Sequence, residues 1–308
     1  GVKFYTKSDT EVVLRYFMLY GKKCLDYFEG MWSLVIYNKK TNKIFISRDR
    51  LGEKPLHILK TNDGFYLGSE INYIKNLYSE KIEINKKHLL NYLTLGYKSL
   101  YKYEENFFKN IKQIPHSSYI YSNINENFKI KKFWKLNLKQ DNKINLKDAI
   151  KSTKEKVIES IGLRLRSDVP VALCLSGGID SSIIAAVAIK IFNKKVKTFS
   201  IIDADSRYSE QKNILRNIKD LKCEHEFIKL KKDNNLDRLI NLIKYRSAPV
   251  ATISYYNHSL MLEKMNKQGN TNANQKANAN QKANANQKAN ANQKANANQK
   301  ANANQKTE

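Results

Sequence analysis

The sequence contains few cysteines and prolines, and it has no long hydrophobic run. Its 308 residues include 3 cysteines and 4 prolines. Cys24, Cys174 and Cys223 lack CxxC or metal-ligand spacing, and their odd number argues against a disulfide framework. Because eighteen consecutive apolar residues occur nowhere, the sequence predicts no membrane span. It also opens without a charged and apolar leader segment, so we expect a cytoplasmic protein.

Acidic residues are scarce relative to basic ones. The formal net charge is +26 at pH 7, from 55 Lys and Arg against 29 Asp and Glu. Such an excess is typical of proteins that bind nucleic acids, whose phosphates attract clustered Lys and Arg. Here the lysines are spread among Asn, Ile and Tyr and form no Arg-rich block. We therefore expect no nucleic-acid partner, whereas negatively charged nucleotides are suitable ligands.

The end of the chain lacks large apolar residues. From Asn272 onward the unit ANANQK recurs. Because this unit has no large apolar side chain, neighbouring repeats cannot bury a common face. We expect residues 271–308 to form a disordered low-complexity tail.

The rest of the chain divides into two regions with different patterns. Residues 1–135 contain short β-prone runs separated by Asn, Asp, Gly and Thr, with helical periodicity between some of them. This pattern predicts an α+β domain of antiparallel strands, joined by hairpins, with two or three helices. The polar stretch 136–146 predicts a linker. Over residues 147–270 strands and helices alternate, which predicts an α/β domain with a parallel sheet.

The segment "LCLSGGIDSSII" places two glycines between a β-prone run and a helical run. In a parallel sheet, ligands bind beyond the carboxyl ends of the strands. Glycines with positive φ would let successive N–H groups converge on phosphate oxygens, and the helix N-terminus adds donors. The hydroxyls of Ser176, Ser181 and Ser182 supply further hydrogen bonds. We therefore predict a phosphate-binding loop around Gly177 and Gly178.

An acidic residue stands inside this segment. A carboxylate beside a phosphate repels it unless a divalent cation lies between them, so Asp180 is predicted to bind Mg²⁺. No Lys follows the glycines as in a Walker loop, and the GxGxxG pattern of dinucleotide-binding folds is missing. The pattern SGGxDSS at a strand end therefore indicates a different class of nucleotide-binding loop.

SGGIDSS resembles the pyrophosphate-binding loop of the N-type ATP pyrophosphatases. The neighbouring stretches "LRSDVPVALCL", "KVKTFSI" and "YSEQKNI" are similar to the start of the asparagine synthetase domain. The resemblance implies that the loop binds ATP and that Asp180 carries Mg²⁺. It places the adenine base against the strand ending at Ile201, with Cys174 or Leu175 as the other wall. Glu210 is a candidate second acid near the nucleotide, and its alternative role is a first-turn helix carboxylate.

The first region resembles the later part of a class II glutamine amidotransferase domain, which has an Ntn-hydrolase-like fold. The similarity rests on "FYTKSDTEVVLRYF", "RDRLGEKPL" and the "GSE" step. It implies that Asp9 pairs with the α-ammonium of glutamine. The residues alone favour a helix N-cap or first-turn role for Asp9, with Ser8 as the other capping candidate. Four charged residues nearby are interpreted as a surface ion network: Arg48, Asp49, Arg50 and Glu70.

Together the two resemblances imply a glutamine-dependent asparagine synthetase-like enzyme, truncated at both ends. ATP would adenylylate aspartate or a related carboxylate and release pyrophosphate, and ammonia from glutamine would then displace AMP. Residues 245–256 fall where relatives line the acyl-substrate pocket. The sequence lacks the family's N-terminal cysteine nucleophile, so we predict no catalytic residue. The alternatives are a nucleotide-binding protein without turnover and a tRNA-modifying ATP pyrophosphatase, and a homodimer is left open.

Overall fold

The computed structural model describes residues 2–62, 64–101, 105–138, 143–167, 169–202, 210–229 and 235–269. The chain forms two compact units. The first comprises Gly1–Lys156 and Lys232–Tyr256, and the second comprises Val157–Lys231 and Asn257–Glu308. The predicted tail, residues 271–308, lies outside the described residues. Within the described ranges, none of the helices has the length and apolar character that crossing a membrane requires.

Short strands and helices alternate in the first unit. In chain order, its described elements are α1 (Asp9–Tyr20), β1 (Ser33–Asn38), β2 (Lys43–Arg48), β3 (His57–Thr61), β4 (Gly64–Gly68), α2 (Ile71–Leu77), α3 (Lys86–Leu95), β5 (Ile111–Gln113), β6 (Ser118–Asn123), β7 (Lys131–Lys132) and the first part of α4 (Leu146–Arg164). After the residues of the second unit, α7 (Asn235–Arg246) and the start of α8 (Ile253–Gly269) also belong to it. Two 3₁₀ turns follow α1 and α3, at Gly21–Asp26 and Gly96–Tyr101.

The strands of the first unit form two antiparallel sheets. Their orders are β1-β2-β6-β7 and β4-β3-β5. Strands β1 and β2 pair from Ser33↔Arg48 to Asn38↔Lys43, and the turn between them contains Asn42 at φ 52°. Asn tolerates this left-handed conformation better than most residues do. The predicted antiparallel hairpins are therefore confirmed.

Apolar side chains from the strands pack into separate clusters. One cluster consists of Ile44, Ile46, Leu56, Ile114 and Ile120, each no more than 3% exposed. Burying a side chain of this size stabilises a fold by about 1.5 to 3 kcal/mol. Such a cluster therefore fixes the position of β2 against β6 and the chain segments beside them.

The second unit contains a parallel sheet in the order β10-β9-β8. Its described elements are the end of α4 (Leu146–Arg164), β8 (Ala172–Cys174), α5 (Ile179–Ala186), a π-helical turn (Val187–Ile191), β9 (Lys197–Ile202), α6 (Gln211–Leu221), β10 (His225–Lys229) and most of α8 (Ile253–Gly269). A helix follows β8 and another follows β9, as the alternating pattern predicts. The predicted α/β arrangement with a parallel sheet is therefore confirmed.

The two units are interleaved along the chain. Residues 136–146, predicted as a linker, contain no helix or strand in their described part before α4 begins. The predicted domain limits stay predictions, because each compact unit combines two separate stretches of the chain. Helix α7 and the start of α8 belong to the first unit, although the sequence places them after the parallel sheet.

Candidate functional site

The Ser-Gly-Gly loop joins β8 to α5 at the C-terminal edge of the parallel sheet. Gly178 is the N-cap residue of α5, and no side chain of the described residues caps this helix. In any α-helix the first-turn amides, here those of Ile179, Asp180 and Ser181, have no intrahelical acceptor. The loop therefore presents the donors and the helix dipole that favour a bound anion.

Serine side chains hold the loop in shape. Ser176 N donates to Ser181 Oγ at 3.1 Å, and Gly178 N donates to Ser176 Oγ at 3.2 Å. Ser182 Oγ donates to the carbonyl O of Gly178 at 2.7 Å and accepts from Asn217 Nδ2 at 2.7 Å. The three serines predicted for this site therefore lie together and take part in one hydrogen-bond network.

Both glycines of the loop adopt ordinary backbone conformations. Gly178 has φ −81°, and Gly177 also lies outside the left-handed region. The expectation of positive φ is wrong, because the chain enters α5 from an extended conformation. A Cβ on Gly177 would lie 2.7 Å from Glu210 Cβ and 3.1 Å from Asn213 Cβ. Close packing against the start of α6, rather than backbone torsion, therefore requires glycine at position 177.

Glu210 connects the loop to α6. It is the N-cap residue of that helix, and its Oε2 accepts a hydrogen bond from Gly177 N at 3.0 Å. Its carbonyl oxygen accepts from the amides of Asn213 and Ile214. Glu210 is therefore the N-cap residue of α6 and not a first-turn residue, so that predicted role is wrong, whereas its place near a bound nucleotide stays a prediction.

Asp180 is exposed in the first turn of α5. Within the described ranges, no group of three or more His, Cys, Asp or Glu side chains could hold a metal ion. Mg²⁺ commonly binds through one or two carboxylates, with phosphates and water completing its octahedron. A single exposed carboxylate in the same turn as free helix-start amides fits that kind of site, so Mg²⁺ is compatible with these residues.

The residues predicted to line the adenine base differ in burial. Leu175 is 1% exposed and packs in a core cluster with Ala185 and Ile214. Cys174, at the end of β8, is exposed, and partial desolvation raises the pKa of its thiol. Ile201, near the end of β9, is half-buried. Of the two alternatives for the second wall, only Cys174 therefore has a side chain that can reach a ligand.

Asp9 lies in the first turn of α1 and is exposed. The helix is capped by Ser8, whose Oγ accepts from Thr10 N at 3.2 Å. The Asp9 carboxylate accepts from the Thr10 hydroxyl at 3.5 Å. Ser8 is thus the N-cap of the two residues proposed, Asp9 has the first-turn position, and its pairing with glutamine stays a prediction.

Glu11 organises the segment before α1, a role that was missed in the sequence. Its carboxylate accepts from Tyr5 N at 3.0 Å, Thr6 N at 2.6 Å and the Thr6 hydroxyl at 2.7 Å. These hydrogen bonds, that of the Thr6 hydroxyl above all, lower the pKa of Glu11 to about 2. The spacing Ser8-x-x-Glu11 is that of a capping box, in which the third helical residue accepts from the N-cap amide; here Glu11 accepts from Tyr5 and Thr6 instead. That spacing is the feature of the sequence from which a structural role for Glu11 could have been predicted.

Arg48 and Asp49 are buried, so their interpretation as part of a surface ion network is wrong. They are 8% and 1% exposed. The Arg48 guanidinium donates to three backbone carbonyls, those of Gly52, Lys54 and Ile114. The Asp49 carboxylate accepts from four backbone amides, those of Trp32, Leu51, Glu53 and Lys54. Burial opposes ionisation of Asp49, but these amides lower its pKa. The pair therefore fastens the turn after β2.

Arg50 and Glu70 are the other two residues of the predicted surface ion network. Arg50 is half-buried, donates to the carbonyl of Phe28 at 2.5 Å and lies 5.7 Å from the ring centroid of Trp32. Glu70 is half-buried and is the N-cap residue of α2. Their described contacts are therefore with backbone and an aromatic ring, which favours a structural role.

Family models match both halves of the chain. Residues 1–134 match the glutamine amidotransferase domain, and residues 152–273 match asparagine synthase. The chain is 31% identical over 214 residues to glutamine-hydrolysing asparagine synthetase 1 of Bacillus subtilis, covering 68% of this chain and 32% of that protein. It is 32% identical over 245 residues to a putative glutamine-hydrolysing asparagine synthetase 2 of Methanocaldococcus jannaschii, covering 77% and 45%.

Among solved structures, the NH3-dependent NAD synthetase of Campylobacter jejuni matches at 22% identity with a TM-score of 0.28. This match covers 39% of this chain and 53% of that chain, and it is too weak to carry an argument. The chain spans less than half the length of the two curated relatives. Because the two family models together match most of its length, the chain belongs to the family of asparagine synthetase-like glutamine amidotransferases.

Proposed function

We propose that this chain takes part in ATP-dependent amide formation, in which a carboxylate such as aspartate is adenylylated and then attacked by ammonia derived from glutamine. The names of the relatives point to aspartate as the carboxylate and glutamine as the nitrogen source. The observation that carries the proposal is the Ser-Gly-Gly loop, which opens α5 at the C-terminal edge of a parallel sheet. Ligands of parallel-sheet domains bind at this edge.

Donors at the start of α5 suit the pyrophosphate end of ATP. The N–H groups in the first turn of α5 point out of its N-terminal end, where a negative charge is favoured. The hydrogen bond between the Ser176 and Ser181 hydroxyls and that from the Ser182 hydroxyl to the carbonyl O of Gly178 keep these donors in place before a ligand binds. Donors that are already ordered need little rearrangement during the reaction, which is the main source of electrostatic catalysis. The loop would therefore orient the leaving pyrophosphate rather than react with it.

Asp180 would hold the magnesium ion that accompanies ATP. When bound, Mg²⁺ screens the charge of the phosphates, which otherwise repel the substrate carboxylate. Asp180 fits this role because its exposed side chain lies in the same turn as the anion-binding amides. Cys174, at the end of β8, and Ile201, near the end of β9, are proposed to lie beside the adenine base.

The first part of the chain would supply the glutamine-dependent half of the reaction. We assign residues 1–135 to the glutamine amidotransferase domain and residues 147–270 to the ATP-binding domain, an assignment supported by family matches over residues 1–134 and 152–273. Asp9, exposed at the N-terminus of α1, is proposed to pair with the α-ammonium of glutamine.

Exchange of radioactive pyrophosphate into ATP tests the proposal, because it requires reversible adenylylation of the carboxylate. With the purified chain, we expect exchange that needs both Mg²⁺ and aspartate, and at least a tenfold decrease for Asp180→Asn. Exchange that tRNA alone supports would instead indicate a tRNA-modifying ATP pyrophosphatase. If Mg-ATP binds but no carboxylate supports exchange, the chain binds nucleotide without turnover, and the proposal is refuted.

A further inference from the structure

The C-terminus of α7 is capped by a side chain from α2, a helix far away in the sequence. Asn72 Nδ2 donates to the carbonyl O of Lys244 at 3.1 Å and of Tyr245 at 2.6 Å. Helix α7 ends at Arg246, so both carbonyls belong to its last turn, where carbonyls have no intrahelical donor. Asn72, 172 positions before Lys244, therefore satisfies two acceptors that the helix itself leaves unpaired.

Ser247 follows α7 in a conformation that serine rarely adopts. Its φ is 51°, in the left-handed region, which is energetically costly for a residue with a Cβ. Glycine is the usual residue at this position after a helix, because it avoids that cost. The Ser247 hydroxyl donates to Asn72 Oδ1. Glycine has no hydroxyl with which to make this hydrogen bond. The Asn72 side chain thus accepts through Oδ1 and donates through Nδ2.

A third contact holds the chain beyond Ser247. The hydroxyl of Tyr92, on α3, donates to the carbonyl O of Val250 at 2.8 Å. Tyr256, in the first turns of α8, donates to Asn235 Oδ1 at 2.5 Å at the start of α7. Hydrogen bonds therefore hold the connection between α7 and α8 at Ser247, at Val250 and at Tyr256.

These contacts join parts of the chain that match different family models. Asn72 and Tyr92 lie within the glutamine amidotransferase match, whereas Ser247 and Val250 lie within the asparagine synthase match. All four residues belong to the first compact unit. A segment of the asparagine synthase match thus belongs to the same compact unit as the residues of the amidotransferase match.

We propose that Asn72, Tyr92 and Ser247 form a clamp, here named the α7 clamp, by which the amidotransferase part of the chain sets the conformation of residues 245–256. This inference rests on the proposed function and on the expectation from the family resemblance that residues 245–256 line the pocket of the carboxylate substrate. The three clamp residues are positioning residues, since they act on this segment and not on the substrate. The clamp makes carboxylate binding depend on the folded state of the glutamine-dependent part.

Asn72→Asp tests the clamp with little change of shape. The substitution replaces both N–H donors by a carboxylate, which repels the two carbonyls and the negative end of the α7 dipole. Asn76→Asp is the matched control, since Asn76 lies on the same helix and is exposed. By hydrogen–deuterium exchange of the full chain, we expect Asn72→Asp to raise exchange at least tenfold in peptides covering residues 244–256. Peptides of the parallel sheet and all peptides of the control should match the wild type.

Tyr92→Phe is a milder second variant that keeps the aromatic ring and removes only the hydroxyl. We expect it to raise exchange at least threefold in peptides that start at Val250. Unchanged exchange in both clamp variants overturns the proposal, and so does equal exchange in Asn72→Asp and Asn76→Asp. If Asn72→Asp does not fold, Tyr92→Phe decides the question by itself.

A second measurement links the clamp to substrate binding. In ATP–pyrophosphate exchange, the clamp variants should raise the KM for the carboxylate at least tenfold and leave the KM for ATP unchanged. A loss of structural integrity alone would change both constants together. An unchanged carboxylate KM, despite raised deuterium exchange, overturns the proposed effect on binding. Lack of pyrophosphate exchange in the wild type refutes the proposed function, and deuterium exchange then still decides whether the clamp exists.

Discussion

Adding one methyl group to the Ser-Gly-Gly loop should separate packing from backbone torsion as the reason for its first glycine. In Gly177→Ala the new Cβ would lie 2.7 Å from Glu210 Cβ and 3.1 Å from the carbonyl O of Glu210. Both contacts are closer than van der Waals contact allows, so the loop or the start of α6 must shift. Overpacking of this kind typically costs about 1 to 3 kcal/mol of unfolding free energy. The shift would also break the hydrogen bond from Gly177 N to Glu210.

Gly178→Ala is the control for folding. Its Cβ would meet only the end of a flexible side chain, Ser176 Oγ at 3.2 Å, and φ −81° suits any residue. Replacing glycine by alanine at an N-cap costs about 1 kcal/mol or less. In urea unfolding we therefore expect Gly177→Ala to be clearly less stable than Gly178→Ala. In calorimetric titration, Gly177→Ala should bind Mg-ATP at least tenfold more weakly than the wild type.

Equal stability of the two alanine variants would refute the packing argument. If Gly177→Ala kept both the stability and the Mg-ATP affinity of the wild type, the position of Glu210 against the loop would also be wrong.

Three further predictions concern single carboxylates. Asp180→Asn should weaken binding of Mg-ATP but not of ATP with EDTA, and equal losses in calorimetric titration would contradict its role in holding the metal. Asp49→Asn should lower the unfolding free energy by about 1 to 3 kcal/mol in urea, because buried amides lose an ionised acceptor; no measurable loss would contradict it. Since the Glu11 pKa is lowered from 4.5 to about 2, its hydrogen bonds stabilise the native state above pH 4.5 and are lost as pH falls toward 2. Protection of the Thr6 amide, followed by NMR, should fall over that range, and constant protection would disprove the assignment.

Local patterns in the sequence were sufficient to predict most of the elements. Short β-prone runs separated by turn residues predicted the antiparallel strands. The alternation of strand and helix patterns over residues 147–270 predicted the parallel sheet. The Ser-Gly-Gly loop could be picked out as a candidate phosphate-binding loop because glycines, hydroxyls and a helix start are consecutive in the chain. Signals of this kind depend on neighbours within a few residues, and the sequence shows those directly.

Contacts between distant residues could not be predicted in the same way. Gly177 is a glycine because Glu210 packs against it, 33 residues later. Charged residues are usually exposed, so no local pattern predicted that Asp49 is buried, since its amide partners come together only when the turn folds. Asn72 reaches a helix end that the sequence places in the other half of the chain. In each case the partner is set by tertiary packing.

Calorimetric titration of the purified chain with Mg-ATP, AMP and magnesium pyrophosphate tests the central claim most directly. If the amides at the start of α5 hold the pyrophosphate end of the nucleotide, Mg-ATP should bind at least tenfold more tightly than AMP, and pyrophosphate should compete with it. Equal affinities for ATP and AMP, together with no competition by pyrophosphate, would show that the loop does not bind phosphates.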